Sequence, residues 1–142
     1  MPIITSKLSL KTKGNTDIID ITSEVEKELM DTNLGSGIVT IFLPGATGGI
    51  TTIEYESGLI EDIKSVFEKL VPRWIEYKHN LAWQDGNGHS HIRASLLGPS
   101  LTIPFVQKKL LLGRWQQIIF IDFDVRPRSR ELILQFIGGS KR

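Results

Sequence analysis

The sequence predicts an α+β fold in which two helices lie against antiparallel β layers arranged like a sandwich. The first observation is a pair of segments with helical spacing of apolar residues in the first half of the chain. The second is the series of β-branched and alternating segments that follows residue 91. The third is the shortness of the links between those segments, which favours antiparallel pairing. Together they predict two packed sheets in a single domain over residues 1–142.

Composition and charge narrow the classes of function. The chain of 142 residues carries 17 Lys and Arg against 16 Asp and Glu, which gives no electrostatic case for nucleic acid or a membrane surface as a partner. It contains no cysteine, which excludes disulfides, thiolate metal ligands and cysteine nucleophiles. No apolar run approaches the length that spans a membrane. We therefore expect a soluble cytoplasmic protein.

Four strands are predicted early in the chain. Residues 3–12 alternate apolar and polar side chains, and a turn at residues 13–15 lets residues 17–21 pair back with them. Residues 37–43 and 50–55 are β-branched and bounded by Gly and Pro, as buried strands often are. These four segments form the β layer of the first half.

Two helices accompany these strands. Ser23 and Glu26 have capping-box spacing at the start of a helix predicted over residues 22–33. The second helix has apolar residues three and four positions apart over residues 59–71, and Pro72 ends it. The second helix has the clearest amphipathic pattern in the chain.

Five more strands are predicted in the second half, at residues 92–97, 101–106, 110–112, 116–124 and 131–137. Residues 118–121 and 132–134 are more apolar than half-exposed strands of a small monomer need. Either a neighbouring subunit covers a sheet face, or two sheets of one chain enclose these strands.

All three histidines of the chain lie between residues 79 and 91. On an extended segment, His89 and His91 share a face, and His79 could return to them across a loop. Three imidazoles with an open position make a catalytic type of zinc site, whereas added carboxylates or water suit other divalent ions. The alternative is that they are surface or hydrogen-bonded histidines in a polar loop.

Two glycine-containing loops have open interpretations. Residues 85–88 read Asp-Gly-Asn-Gly, which is a favoured turn, and Asp85 and Asn87 also offer oxygen ligands or hydrogen bonds. Residues 44–49 read Pro-Gly-Ala-Thr-Gly-Gly, without the Lys of a phosphate-binding P-loop. A looser anion nest of successive amides remains open for this second loop.

Arginines cluster near the C-terminus. Arg126, Arg128 and Arg130 follow Asp122 and Asp124 closely. This pattern is typical of a solvated hairpin tip, but it also suits a cationic fork that holds a phosphorylated substrate.

Four blocks of residues give the chain a resemblance to a known family. They are His79 with residues 85–92 (Asp-Gly-Asn-Gly-His-Ser-His-Ile), residues 95–104 (Ser-Leu-Leu-Gly-Pro-Ser-Leu-Thr-Ile-Pro), residues 112–118 (Leu-Gly-Arg-Trp-Gln-Gln-Ile) and residues 126–130 (Arg-Pro-Arg-Ser-Arg). With these blocks the sequence resembles, over nearly its whole length, the YjbQ-type family. Members of that family are described as secondary thiamine-phosphate synthases.

The resemblance implies an α+β fold containing a β-sandwich, assembled as a homotrimer. It also implies a polar site with histidines and a divalent metal, zinc or magnesium. The implied activity joins hydroxymethylpyrimidine diphosphate to thiazole phosphate and releases diphosphate. Two alternatives stay open: metal-dependent hydrolysis of a small phosphorylated metabolite, and a non-enzymatic trimer that binds a metal or a phosphorylated ligand.

The resemblance and the residue patterns together suggest three groups of site residues. The expected metal ligands are His79, His91 and His89. The expected catalytic residues are Asp85, Asn87 and Glu54. The expected phosphate-binding residues are Arg128, Arg130 and Thr47.

Three positions depart from the pattern of the family. Residues 45–48 replace a His-Thr-Ser/Thr-Ala loop, and only Thr47 keeps a hydroxyl there, so the role of that His is absent or has moved to His89. Lys108 stands where Gly is common, and a non-Gly residue at positive φ costs about 1 kcal/mol or more, so we expect a different turn. Arg114 stands where Thr usually precedes Trp-Gln.

Overall fold

Eight strands form two antiparallel sheets in this computed structural model, which describes residues 1–140. They are β1 (Ile3–Thr12), β2 (Asp17–Asp20), β3 (Leu34–Phe42), β4 (Gly48–Ile53), β5 (Ser100–Val106), β6 (Lys109–Leu110), β7 (Gln117–Asp122) and β8 (Arg128–Ser140). The five-stranded sheet has the order β1-β8-β3-β5-β6, and the three-stranded sheet has the order β2-β7-β4. The predicted α+β class with antiparallel layers is confirmed.

Four helices lie within residues 1–140, where the sequence predicted two. They are α1 (Thr22–Met30), α2 (Ser57–Leu70), α3 (Lys78–Trp83) and α4 (Gly88–Leu97). The two expected helices are α1 and α2, whereas α4 shows that the strand predicted over residues 92–97 is wrong. The buried face of α4 includes His89, Arg93 and Ala94, which are four and five positions apart. That spacing is helical rather than alternating, and Ala, Arg and Leu are strong helix formers.

The first turn of α1 is held by a different contact from the one predicted. Ile21 is the N-cap residue, and no side chain caps the helix. Ser23 Oγ donates to the neighbouring Glu24 carboxylate at 3.1 Å. Instead, Asp20 Oδ1 accepts from both the amide of Thr22, at 3.0 Å, and its hydroxyl, at 2.6 Å. The helix is confirmed, but the predicted capping box is wrong.

The chain changes sheet at the turn after β1. Gly14, Asn15 and Thr16 have φ angles of 76°, 54° and 64°, all in the left-handed region. A Cβ on Gly14 would lie 2.5 Å from the Arg126 carbonyl oxygen, so only glycine fits this close approach. The turn therefore directs β2 away from β1 and onto β7, with Ile18 opposite Ile121. The predicted pairing of residues 17–21 with residues 3–12 is wrong for this reason.

The central strand β7 is buried on both faces. Ile118 and Phe120 belong to the core between the two sheets, and both are fully buried. Ile119 and Ile121 face a second core, which α2 and α4 cover. The sequence of a strand that is buried on both faces has apolar residues at consecutive positions. The apolar run at residues 118–121 is therefore explained within one chain, by the two-sheet alternative.

The turn between β5 and β6 keeps a left-handed conformation without glycine. Gln107 and Lys108 have φ angles of 51° and 61°, so the expectation that Lys108 changes this turn is wrong. Lys108 Nζ donates to the Leu29 carbonyl at 3.3 Å and to the Thr32 carbonyl, both at the C-terminal end of α1. A cation at the C-terminal end of a helix is favourable, and it offsets the backbone cost.

The outer face of the five-stranded sheet is exposed. A row of apolar residues crosses four of its strands in register, formed by Ile3, Ile137, Ile38 and Pro104. No element within residues 1–140 covers this row, and Ile3 and Ile38 are 61% and 41% exposed. Across the same residues, every helix is too short or too polar to cross a membrane.

Candidate functional site

The candidate site lies where β7 ends and β8 begins. Asp122 is the last residue of β7, Asp124 follows two residues later, and Arg128 opens β8. The loop after β3 and the loop between α3 and α4 approach from either side. Phe123 anchors the segment, because its amide donates to the Thr47 carbonyl at 2.9 Å and its carbonyl accepts from the Ser90 hydroxyl.

Asp122 and Arg130 form a buried ion pair. Arg130 Nε and Nη2 donate to the two carboxylate oxygens at 2.8 and 2.9 Å, and Thr12 Oγ1 donates at 2.7 Å. The Asp122 side chain is fully buried and that of Arg130 is 11% exposed. Burial alone would raise the pKa of Asp122, but the hydrogen bonds from Arg130 and Thr12 outweigh it and hold the pKa below its usual value.

Asp124 pairs with Arg128 in the same way. Arg128 Nε and Nη2 donate to Asp124 Oδ2 at 2.9 and 2.5 Å. Burial opposes ionisation, yet the hydrogen bond from Arg128 lowers the pKa of Asp124 below its usual value. Thr47 links the two pairs, because its hydroxyl donates to Asp124 at 3.2 Å and accepts from Arg130 at 2.7 Å. Both arginines expected at phosphate are therefore occupied by aspartates of this chain.

His79 and His91 come together, as the sequence predicted. Their ring centroids are 4.4 Å apart. His79 Nε2 lies 3.1 Å from Asn87 Oδ1 and 3.6 Å from Asp85 Oδ1. Burial and the neighbouring His79 lower the pKa of His91, which favours a neutral imidazole with a free lone pair. Four of the predicted site residues thus converge on one point.

The Asn87 amide fits its neighbours in one of its two orientations. The end of the amide that faces His79 lies 2.8 and 3.0 Å from the two carboxylate oxygens of Asp85. With the amide oxygen at that end, oxygen meets oxygen, while the amide nitrogen donates to Asp124 Oδ1 at 3.4 Å. With the nitrogen at that end, the amide oxygen faces Asp124 instead. In this second orientation the nitrogen donates to both carboxylate oxygens of Asp85 and to His79 Nε2, so hydrogen bonds of the amide hold the cluster together.

The donor atoms suit a divalent cation. Two imidazoles, one carboxylate and one amide oxygen form a mixed nitrogen and oxygen set. Within residues 1–140, no three side chains of His, Cys, Asp or Glu meet the distances of a metal site. In the orientation that satisfies its neighbours, the Asn87 amide nitrogen donates to Asp85 and His79, and the reverse orientation would offer the amide oxygen to a cation. The residues present therefore fit a metal in their chemistry.

A small pocket opens beside His91. Its volume is about 200 Å³, and its wall is made of His91, Ala94 and Ser95 from α4 together with Gly45, Ala46, Gly48 and Pro99. The loop that departs from the family pattern thus forms one side of this pocket. Its small residues leave the His91 imidazole accessible to a ligand.

His89 does not join the other two histidines. The prediction that His89 and His91 share a face applies to a strand. In an α-helix, residues two positions apart point about 200° apart around the helix axis. His89 is 1% exposed and packs near Tyr77, with ring centroids 6.5 Å apart. Burial, with Arg93 and Arg73 nearby, lowers the pKa of His89 to about 4, so it is neutral at pH 7.

Glu54 also lies away from the cluster. It follows the end of β4 where Ile53 pairs with Gln117, whereas Gly48, at the other end, pairs with Asp122. Five residues of strand separate the two ends, which corresponds to roughly 17 Å. Within one chain, Glu54 therefore contacts none of the residues gathered around Asp124.

Sequence reasoning missed the roles of Asp122 and Asp124. The signal was present, because both aspartates sit two residues apart after an apolar strand, and Arg128 and Arg130 repeat that spacing after a short turn. Matching periods of opposite charge on consecutive strands favour paired side chains on one face. The pattern allows a solvated hairpin tip or a cationic fork for phosphate, whereas the structure buries both carboxylates and pairs them with the arginines.

The fold and the site define a class of small α+β proteins whose polar site lies at the end of a doubly buried strand. The sequence model described as UPF0047 protein YjbQ-like matches residues 6–139. The chain belongs to this family.

Individual relatives agree with this assignment. A UPF0047 protein of Archaeoglobus fulgidus is 41% identical over 129 residues, covering 91% of this chain and 98% of the relative. The UPF0047 protein YugU of Bacillus subtilis is 34% identical over 92% of this chain and 97% of its own length. A crystal structure of a YbjQ-like protein of unknown function from Sulfolobus solfataricus superposes with a TM-score of 0.91 at 29% identity, over 96% of this chain and 98% of that one.

Proposed function

We propose that this protein is a metal-assisted enzyme that acts on a small phosphorylated substrate. Within that class, we propose a transferase that joins hydroxymethylpyrimidine diphosphate to thiazole phosphate and releases diphosphate. The observation that carries the proposal is the convergence of His79, His91, Asp85 and Asn87 beside an open pocket. The choice of reaction within the class rests on the resemblance to thiamine-phosphate synthases of the YjbQ type.

Each residue of the cluster has a distinct part in the proposal. His79, His91, Asp85 and Asn87 hold a divalent cation, zinc or magnesium, and its charge would stabilise the departing diphosphate. The mixed donors make zinc the better match, because magnesium prefers an all-oxygen shell. In the proposed transfer the thiazole nitrogen forms the new bond to the pyrimidine methylene as the bond to diphosphate breaks, and no proton is released. Asp85, whose side chain is 44% exposed, therefore serves as a cation ligand rather than as a base.

Arg128 and Arg130 have different roles in the proposed function. Arg128 is 34% exposed, so one side of its guanidinium is accessible to an oxygen of a substrate phosphate. Arg130 is 11% exposed and its contacts are to Asp122 and Thr47, so we assign it a positioning role. Glu54 has no part within one chain.

A second candidate function is metal-dependent hydrolysis of one small phosphorylated metabolite. The size of the pocket favours it, because about 200 Å³ is smaller than the roughly 300–1,000 Å³ of pockets for drug-sized ligands. The transferase needs room for two substrates, whereas hydrolysis needs room for one and a water. The non-enzymatic trimer that binds a metal or phosphorylated ligand is the outcome if neither reaction proceeds.

The test is turnover by wild type and by His91→Ala. Both are incubated with the two substrates and a divalent metal, and the joined product and released phosphate are measured separately. Ile92→Ala is the matched control, because Ile92 is the next residue on α4 and is 43% exposed. The transferase predicts joined product in wild type and in the control, with a loss of about 100-fold in His91→Ala. Phosphate release without joining supports the hydrolase, and equal turnover in wild type and His91→Ala contradicts both.

We also propose that the chain forms the homotrimer that the resemblance implies. The exposed apolar row of Ile3, Ile137, Ile38 and Pro104 supports contact with a second copy, because such rows are unusual on the solvent face of a small monomer. The apolar segments at residues 118–121 of β7 and 132–134 of β8 do not support a trimer, because other elements of the same chain bury them.

A further inference from the structure

A second pocket lies on the opposite side of α4 from His91. Its volume is about 270 Å³, and it is bounded by the turn after β1, by α2 and by residues 73–74. His89 and Arg93 of α4 form its inner wall. It shares no lining residue with the pocket beside His91, so the two are separate.

Positive charge exceeds negative charge around this pocket. Lys64, Arg73 and Arg93 line it, against the single carboxylate of Glu68. Glu68 is paired with Arg93 at 2.8 Å. Lys64 and Arg73 form no salt bridge with any carboxylate of residues 1–140. Two positive charges are thus left without a counter-charge.

Two buried polar atoms at this pocket have no hydrogen-bond partner. One is Arg73 Nε, and the other is Nδ1 of His89, a residue that is only 1% exposed. Buried polar groups in folded proteins are nearly always paired, so an unpaired one calls for an explanation. An anion that accepts a hydrogen bond from Arg73 would satisfy Nε. The Ser90 hydroxyl gives its proton to the Phe123 carbonyl and lies 3.5 Å from His89 Nε2, so Nε2 carries the ring proton and Nδ1 can accept from a P–OH group of the anion.

The inner wall of the pocket is rigid. Arg93 is 4% exposed, and its guanidinium donates to the Val71 carbonyl at 3.0 and 2.8 Å and to Thr16 Oγ1 at 3.0 Å. Arg73 Nη1 donates to Asn15 Oδ1 at 2.9 Å. The turn that carries Asn15 is itself tied to the Asp124 carbonyl at 2.6 Å. The guanidinium groups of Arg73 and Arg93 are therefore held in place before any ligand arrives.

We propose that this pocket binds a small anion with phosphate-type oxygens, at a site separate from the metal and substrate cluster. Planar guanidinium groups suit the oxygens of a phosphate better than a point charge does. The volume is below the roughly 300–1,000 Å³ of pockets for drug-sized ligands, so the anion is inorganic phosphate or the phosphate group of a small monoester. The proposal goes beyond the proposed function, because it assigns a binding site to residues that the reaction does not use.

The experiment is a titration of the purified full-length chain with inorganic phosphate, at constant ionic strength, followed by NMR of the arginine Nε–H signals. The Arg73 signal is expected to shift and saturate. Arg73→Gln, followed at the Arg93 signal, and Lys64→Gln, followed at the Arg73 signal, are each expected to weaken binding by about tenfold or more, because each removes an unpaired cation at the pocket. Lys69→Gln is the matched control, since Lys69 is an exposed lysine of the same helix that does not line the pocket.

Two further measurements establish where phosphate binds and which form of phosphate the pocket prefers. His91→Ala should leave phosphate affinity at the Arg73 signal unchanged, so failure of this proposal and failure of the proposed enzyme are distinguishable. Phenyl phosphate that binds more tightly than inorganic phosphate identifies a monoester site, and the reverse order identifies a site for the free ion. Absence of a saturable shift at Arg73 overturns the proposal. An affinity that is unchanged in both Arg73→Gln and Lys64→Gln overturns it as well.

Discussion

At the scale of single residues, Asp122 and Asp124 organise the site. Each carboxylate is buried, and each is enclosed by one arginine and one hydroxyl. Thr47 belongs to both hydrogen-bond networks, so the loop after β3 is fixed relative to β7 and β8. The two aspartates therefore position the wall of the pocket beside His91.

Asp122→Asn should destabilise the fold strongly. The change leaves Arg130 buried without its counter-charge, and breaking a buried pair typically costs about 3–5 kcal/mol. Urea unfolding of wild type and variant measures the difference in the free energy of unfolding. Glu131→Gln is the control, because Glu131 pairs with Lys7 at the surface and should cost less than about 1 kcal/mol. Equal losses in the two variants contradict the buried pair.

The same carboxylate should make stability fall in acid. The folded-state pKa of Asp122 lies below its usual value, and an unfolded Asp titrates near about 3.9. Its contribution is therefore fully present above about pH 4 and is lost as the pH falls through the lower folded-state pKa. The free energy of unfolding, measured from pH 5 downward, should fall less steeply in Asp122→Asn than in wild type. A parallel decline in both proteins argues against a lowered pKa.

At the scale of elements, what the sequence predicts well is what depends on local periodicity. The amphipathic spacing of α2 and the alternation of β1 were recognisable, because each element turns one face toward a core. Residues 92–97, predicted as a strand, form the second half of α4 and contain the large apolar residues Ile92 and Leu96. Both are exposed on α4, and the buried positions are His89, Arg93 and Ala94. Because the buried face of α4 carries polar residues, its helical periodicity does not show in the pattern of hydrophobic residues.

Strand pairing was less predictable than strand location. Short links suggested hairpins, but β1 and β2, and likewise β7 and β8, lie in different sheets. The residues that redirect the chain include Asn15 and Thr16 in left-handed conformations, which sequence rules assign mainly to glycine. Within the site, His79, His91, Asp85 and Asn87 were predictable as site residues from the resemblance and the residue patterns. The buried pairing of the arginines depended on tertiary packing that no local pattern contains.

Lys108 provides a test at this scale. Lys108→Ala keeps the left-handed backbone but removes the charged contact with the carbonyls of α1, so it should cost about 1.5–3 kcal/mol. Lys108→Gly loses the same contact but relieves the backbone, so it should cost about 1 kcal/mol less. Thermal unfolding compares the two with Lys109→Ala, a change at the neighbouring exposed lysine. If Lys108→Gly is less stable than Lys108→Ala, the positive φ at this position carries no cost that glycine relieves, which contradicts the proposal.

At the scale of the whole molecule, three layers place the site at one edge. The five-stranded sheet, the three-stranded sheet and the helices α2 and α4 enclose two cores around β7. Burial on both faces holds the end of β7 rigid, which keeps Asp122 and Asp124 fixed. The layer left uncovered by this chain is the outer face of the larger sheet.

That uncovered face leads to a prediction about assembly. Wild type should have the mass of a trimer in solution at micromolar concentration, as measured by light scattering. Ile38→Lys should shift the mass toward that of the monomer, because it places a charge in the apolar row. Leu70→Lys is the control, since Leu70 is 69% exposed on α2 and lies away from that sheet. A monomeric wild type, or a trimer unaffected by Ile38→Lys, contradicts an interface at this face.

The central claim is that His79, His91, Asp85 and Asn87 hold a divalent cation. Metal analysis of the purified protein, after incubation with zinc or magnesium and removal of free ions, tests it most directly. We predict about one ion per chain in wild type and in Ile92→Ala, and an affinity lower by about 10–100-fold in His91→Ala. A wild type that retains no ion, or a His91→Ala variant that retains as much as wild type, would contradict the claim.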